Sequence, residues 1–208
     1  MGAGEAAAAG PPPRPTLVAT LGDGVTAGSP GYDPDPALRK ALGFGSDAKS
    51  QWQYWAARAH PGLVFRNCGV WGERTDQLAR RLVACARGAQ ALVVEGGLAD
   101  VEQRRPVARA AADLRRIVVR AKALGLRVAV CEVLPWSNGW PDADRPIRRL
   151  NALIHRIGRQ ERVPVLPFYE TLEDPARPGR VRLRWTADGT YPSVEGYRRL
   201  GERAFRAP

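Results

Sequence analysis

Five short apolar runs separated by stretches of helical periodicity constrain this chain most: Thr16 to Leu21, Leu63 to Arg66, Ala91 to Glu95, Arg127 to Val133 and Val163 to Leu166. Brief runs of this kind read as buried parallel strands. Between them, Ser50 and Gln53 form a capping box that opens a helix carrying Trp52, Trp55, Ala56 and Ala59, which His60 and Pro61-Gly62 end. Pro106 sits at a first helical position and Gly125 at a stop, with Val107, Ala111, Leu114, Val118 and Ala121 along one face. A third helix spans about Ala143 to Ile157 on the stripe Ile147, Leu150, Ile154 and Ile157, and a last one follows Ser193 with Tyr197 and Leu200. Strands alternating with helices imply right-handed crossovers that lay helices on both faces of a parallel sheet. The expectation is an α/β protein, a three-layer α/β/α fold with a five-stranded parallel sheet.

Ligands in such folds gather beyond the carboxyl ends of the strands. Gly22 to Gly24 follow the first strand, Gly72 lies just beyond the second, Gly97 to Asp100 follow the third, and Pro135 to Trp140 follow the fourth. These segments are expected at one rim.

The chain's 208 residues suit one core. The reading is a flexible tail over residues 1–15 and a single domain over 16–208. A hydrophobic share of 44% and a charged share of 25% are those of a soluble globular chain. No apolar run approaches the roughly 20 residues of a spanning helix, and the Ala-, Gly- and Pro-rich start lacks a secretory signal's basic and apolar regions. A cytoplasmic location is expected. The formal charge of +11 comes almost wholly from arginine. Pairs such as Arg80-Arg81, Arg115-Arg116, Arg148-Arg149 and Arg198-Arg199 fall on different helices, and no aromatic-interleaved basic motif accompanies them. That argues for solvated helix faces and against a nucleic-acid partner. Cys68, Cys85 and Cys131 are too few and too scattered for a disulfide framework or a zinc site, so free buried thiols are expected. No cofactor or metal is implied, and the oligomeric state is left open.

The segment Leu17 to Gly28, LVATLGDGVTAG, resembles the strand and turn that carry the nucleophile of SGNH (GDSL-type) esterases, with glycine where the serine stands. Three later blocks also resemble that family: Asn67-Cys68-Gly69-Val70-Trp71-Gly72, Gly97-Leu98-Ala99-Asp100 and Asp188-Gly189-Thr190-Tyr191-Pro192. The resemblance covers nearly all of the chain after the tail and implies the family's flavodoxin-like fold. The family's serine, glycine, asparagine and histidine fall at Gly24, Gly72, Ala99 and Tyr191, so only the glycine is kept. Gly24 cannot form an acyl-enzyme, Ala99 cannot donate a hydrogen bond, and a phenol is a poor base at neutral pH. The resemblance therefore implies a protein that has lost Ser-His ester hydrolysis.

What remains could still handle a small molecule. The amides of Gly24 and Gly72 make a partial oxyanion hole, and Asp188 with Tyr191 makes a candidate acid/base pair. Asp23, Glu95 and Asp100 lie in or beside the blocks, as binding groups or as carboxylates that hold loop amides. Trp71, Trp136, Trp140 and Trp185 are candidate aromatic walls. His60, His155, Cys68 and Thr26 read as structural. The first functional reading is a non-hydrolytic enzyme for cyclisation, isomerisation or elimination of a small acyl, ester or lactone-like metabolite. The second is a non-catalytic protein that binds such a ligand or a partner protein, and the third is a hydrolase with an unrecognised nucleophile.

Overall fold

The structure, a computed structural model, describes residues 14–208, so the expected tail lies outside the described residues but for Arg14 and Pro15. The five apolar runs form β1 Thr16–Gly22, β2 Leu63–Gly69, β3 Ala91–Val94, β4 Arg127–Cys131 and β5 Val165–Leu166. They pair in parallel in the order β2-β1-β3-β4-β5. Every residue of β3 is buried, as a central strand covered on both faces requires. The chain leaves β1 toward one edge and returns through β3 on the other side. Between these two strands lies the switch point at which this topology opens a crevice.

The helices are α1 Gly24–Ala27, α2 Pro36–Leu42, α3 Trp52–Ala59, α4 Thr75–Ala86, α5 Leu98–Glu102, α6 Val107–Ala123, α7 Asp144–Glu161, α8 Phe168–Leu172 and α9 Val194–Arg199. Helix α6 packs against α4 and α7, whereas α3 packs against α9 and the turn after it. The α6 and α7 stripes are buried at Leu114, Val118, Ala121, Ile147, Leu150 and Ile154. Burying each such aliphatic side chain contributes about 1.5–3 kcal/mol. Among the described residues no helix is long and apolar enough to cross a membrane.

Two local expectations fail and one element is unanticipated. Ser50 does not cap α3; it closes a 3₁₀ turn, Ala48–Ser50, and α3 starts at Trp52 without a side-chain cap. Gln53 instead turns inward, where its Nε2 donates to Thr20 Oγ1 and the Thr26 carbonyl. A reciprocal capping pair does open α4, between Arg74 and Gln77. Cys68 and Cys85 are not free thiols but form a disulfide that ties the end of β2 to the last turn of α4, while Cys131 is free and buried. Seventeen residues separate the pair in sequence, and only the β2-to-α4 crossover brings them together. The third surprise is a small antiparallel pair, β6 Glu173–Asp174 and β7 Arg177–Val181.

Candidate functional site

Asp23 stands between β1 and α1 as the helix cap, its Oδ1 accepting the Val25 amide at 2.9 Å. Gly24 is therefore the first residue of α1, at the carboxyl edge of the sheet. A side chain built at position 24 would begin 2.8 Å from Tyr191 Cε1, 2.9 Å from its hydroxyl and 3.0 Å from Trp71 Cδ1. The phenol and the indole thus occupy the space into which a residue at 24 would project. Trp71 is backed edge-on by Phe44, with ring centroids 6.0 Å apart. Gly72, by contrast, sits at φ +76 with open space where a side chain would be. A left-handed φ favours glycine there.

Beneath Gly24 lies a buried acidic pair. Glu95 Oε2 accepts the Thr26 hydroxyl at 2.8 Å, and the Asp23 and Glu95 carboxyls are close enough for each to shift the other's proton affinity. Asp23 Oδ2 and Glu95 Oε1 are both buried without a hydrogen-bond partner, the condition under which two neighbouring carboxyls retain a proton between them. Burial pushes Asp23 up to about 6, against the amide of Val25, which pulls it down. Burial, and then the charge of Asp23, push Glu95 well above the usual carboxylate range.

Asp100 is committed to the scaffold. Its carboxylate accepts the Thr75 amide at 2.8 Å, the Thr75 hydroxyl at 3.0 Å and Arg105 Nη1 at 2.6 Å. Ala99, buried beside it in the first turn of α5, offers no polar group. The other guanidinium nitrogen of Arg105 reaches Asp113 on α6, so α4, α5 and α6 are joined at one ion-pair network.

Asp188 and Tyr191 share a turn but not a hydrogen bond between their side chains. Asp188 Oδ1 accepts the amides of Thr190 and Tyr191, both at 2.8 Å. The carboxylate thus holds its own loop, as aspartate does at tight turns. It borders a cleft of about 350 Å³ with Asn138, Arg177, Arg180 and Leu183, whereas the Tyr191 ring lies over Gly24. Burial pushes the Tyr191 hydroxyl above its ordinary range, and the negative charge of Asp23 adds to this. The phenol is thereby a donor that holds its proton. Trp136 supports the same loop from β4's side, its indole N–H donating to Thr190 Oγ1 at 3.0 Å and its ring meeting Trp140 edge-on.

Residues without a motif complete the rim. Asn67 donates to the Ala27 carbonyl and accepts the Gly69 amide. Arg81 Nη1 donates to the Cys68 carbonyl, and its guanidinium pairs with Glu73. Both positions are readable only once β1 and β2 are in register. His155 pairs with Glu132 at 2.7 Å, and His60 caps α3 with its ring edge-on to Phe205.

The chain belongs to the GDSL-like lipase/acylhydrolase family, whose model matches residues 20–199. No curated protein matches it. Solved structures share the fold at low identity. A G-D-S-L family protein from Desulfitobacterium hafniense aligns with a TM-score of 0.74 at 19% identity, over 90% of this chain and 96% of its own. A member of the lipolytic G-D-S-L family from Veillonella parvula gives 0.70 at 17%, over 89% and 94%. The lipase/acylhydrolase of Enterococcus faecalis gives 0.65 at 21%, over 89% and 91%.

Proposed function

We propose that this protein keeps the GDSL fold without serine ester hydrolysis and works by binding rather than by turnover. The observation that carries this reading is the filled space over Gly24, where Tyr191 and Trp71 lie about 3 Å from any side chain's first carbon. No nucleophile projects there, and no imidazole stands beside it to take a proton. A cleft beside Asp188 is open to a ligand, and there Leu183 and Val181 supply apolar wall and Arg177 and Arg180 supply cations. Its chemistry suits a small acyl, ester or lactone-like ligand with a carbonyl or carboxylate oxygen. The purified protein is expected to leave short-chain aryl esters at the buffer rate and to resist a serine-directed fluorophosphonate. Covalent labelling within Leu17 to Gly28, or turnover above background, overturns the reading.

A second reading, a non-hydrolytic enzyme for cyclisation, isomerisation or elimination with Asp188 and Tyr191 as its acid and base, draws on one observation. The Tyr191 hydroxyl lies over Gly24, where a substrate oxygen would meet the rim. Against it, Asp188 spends its carboxylate on backbone amides and faces a different cleft. On location, the Cys68–Cys85 bond supports an oxidising compartment over the cytoplasm expected from the sequence, because reducing thiol pools keep such pairs open.

A further inference from the structure

Arginines that lie on separate elements in the sequence converge around Trp185. Its buried indole has the guanidinium of Arg199 at 4.2 Å, that of Arg182 at 4.9 Å and that of Arg184 at 5.2 Å from the ring. Arg198 and Arg203 join them on α9 and on the π-helical turn Leu200–Ala204 that continues it. Single π-helical turns recur at functional sites because the wider turn re-aims side chains. Together with Glu195 and Glu202, Trp185 and arginines 198, 199 and 203 line an open cavity of about 220 Å³.

The charges here do not balance. Glu202 is taken by Arg198 at 2.9 Å. Glu195 is shared between Arg184 at 3.6 Å and the Trp185 indole N–H at 3.2 Å. Asp174 holds Arg177 at 2.9 Å and reaches Arg182 only at 3.8 Å. Arg199 is left with the Thr171 carbonyl at 2.9 Å, and the Arg203 guanidinium has no hydrogen-bond or ion-pair partner among the described residues. Like charges four residues apart on one helical face repel. Partial burial lowers the affinity of Arg199 for its proton, and the charges of Arg203, Arg182 and Arg184 lower it further. Stacking on the indole holds the Arg199 fork in one orientation, which spares much of the entropy of fixing it on a ligand.

We propose that this cleft binds a phosphate group, with Arg199 and Arg203 as its two principal ligands and Trp185 as the platform that orients the first. A tetrahedral dianion matches paired guanidinium forks better than a carboxylate or chloride does, and it removes the repulsion that the empty cleft retains. This site is independent of the reading of the Gly24 rim.

Isothermal titration with inorganic phosphate and with pyrophosphate, at ionic strength held constant with chloride, tests it. Co-sedimentation with phosphatidylcholine vesicles, with and without phosphatidate, tells a lipid headgroup from a soluble phosphate. Saturable binding in either arm is expected. Arg203→Gln removes no internal contact, so it should weaken that binding at least tenfold with an unchanged melting temperature. Arg199→Gln should weaken binding similarly, with some loss of stability because it also gives up the Thr171 carbonyl and the Trp185 stack, and Arg120→Gln on the far α6 surface should leave binding intact. No saturable signal in either arm, or equal binding by Arg203→Gln, overturns the proposal.

Discussion

The Gly24 rim and the Trp185 cleft use aromatic rings in opposite ways. At the rim the rings of Tyr191 and Trp71 are the filling, and they close the space over a backbone whose first helical turn is fixed by Asp23. At the cleft a buried indole is the floor, and the space above it stays open between cations. Glycine at 24 removes the side chain that would hold the rings off, whereas the second space is lined by arginines 199 and 203, which carry like charge. A family fold can therefore be retained while the place that is open to a ligand changes.

The largest expected effect concerns the brace behind the closed rim. The Cys68–Cys85 bond spans the loop that carries Trp71 and Gly72, and closing a loop of this length stabilises by about 3 kcal/mol. Cys85→Ser should lower the unfolding free energy by about that amount in urea titration and increase hydrogen exchange over residues 70–74. Binding at the Trp185 cleft should not change. Equal exchange with and without the bond would show that it does not brace the rim.

The acidic pair gives the next effect. Asp23 titrates at about 6 in the folded protein, above its unfolded value, so the folded state holds the proton more tightly. Its contribution is complete at pH below about 3.8 and is lost as pH rises to about 6, a fall on the order of 3 kcal/mol. Glu95→Gln keeps an acceptor for Thr26 and supplies a donor for Asp23, so it should remove the part of the pH dependence that belongs to Glu95 and leave the part that burial gives Asp23. The difference between wild type and variant across pH 4 to 7 isolates the pair from the chain's general positive charge. Parallel pH profiles would mean that the two carboxyls do not share a proton.

A smaller effect separates a turn-holding Asp188 from a reacting one. Asp188→Ala should cost about 1 kcal/mol for the two amides left without an acceptor, while Asp188→Asn, which keeps an acceptor oxygen, should stay within about 0.5 kcal/mol of wild type. A catalytic carboxylate would show the reverse sensitivity, with Asn abolishing a reaction and stability unmoved.

Much of the scaffold was legible because each strand is an unbroken apolar run and each long helix carries a clear stripe, as at Ile147, Leu150, Ile154 and Ile157. Short-range polar chemistry was less so. Ser50 and Gln53 fit a capping box by spacing, but Gln53 gains more from buried bonds to Thr20 and Thr26. The β6–β7 pair is built on Arg177-Pro178-Gly179-Arg180, which has no strand alternation to read. The disulfide depends on a crossover that brings Cys85 back to Cys68. The blocks located Gly24, Gly72, Ala99 and Tyr191, yet whether the space between them was open depended on where the Tyr191 ring falls, a tertiary property. The spacing from Asp188 to Tyr191 could have been read as a turn in which the carboxylate holds amides. The Trp185 cluster was hidden because its arginines come from two elements, and each pair alone resembles a solvated helix face.

Tyr191 fills the space a residue at position 24 would need, and a double-mutant cycle measures this directly. Gly24→Ser, Tyr191→Ala and the double variant are compared with wild type by urea unfolding. If the rings occupy that space, Gly24→Ser alone should cost about 1–3 kcal/mol by overpacking, and much less once Tyr191 is alanine. The expected coupling between the two positions is at least about 1 kcal/mol. Additive effects, with serine at 24 equally tolerated whether or not the phenol is present, would contradict it.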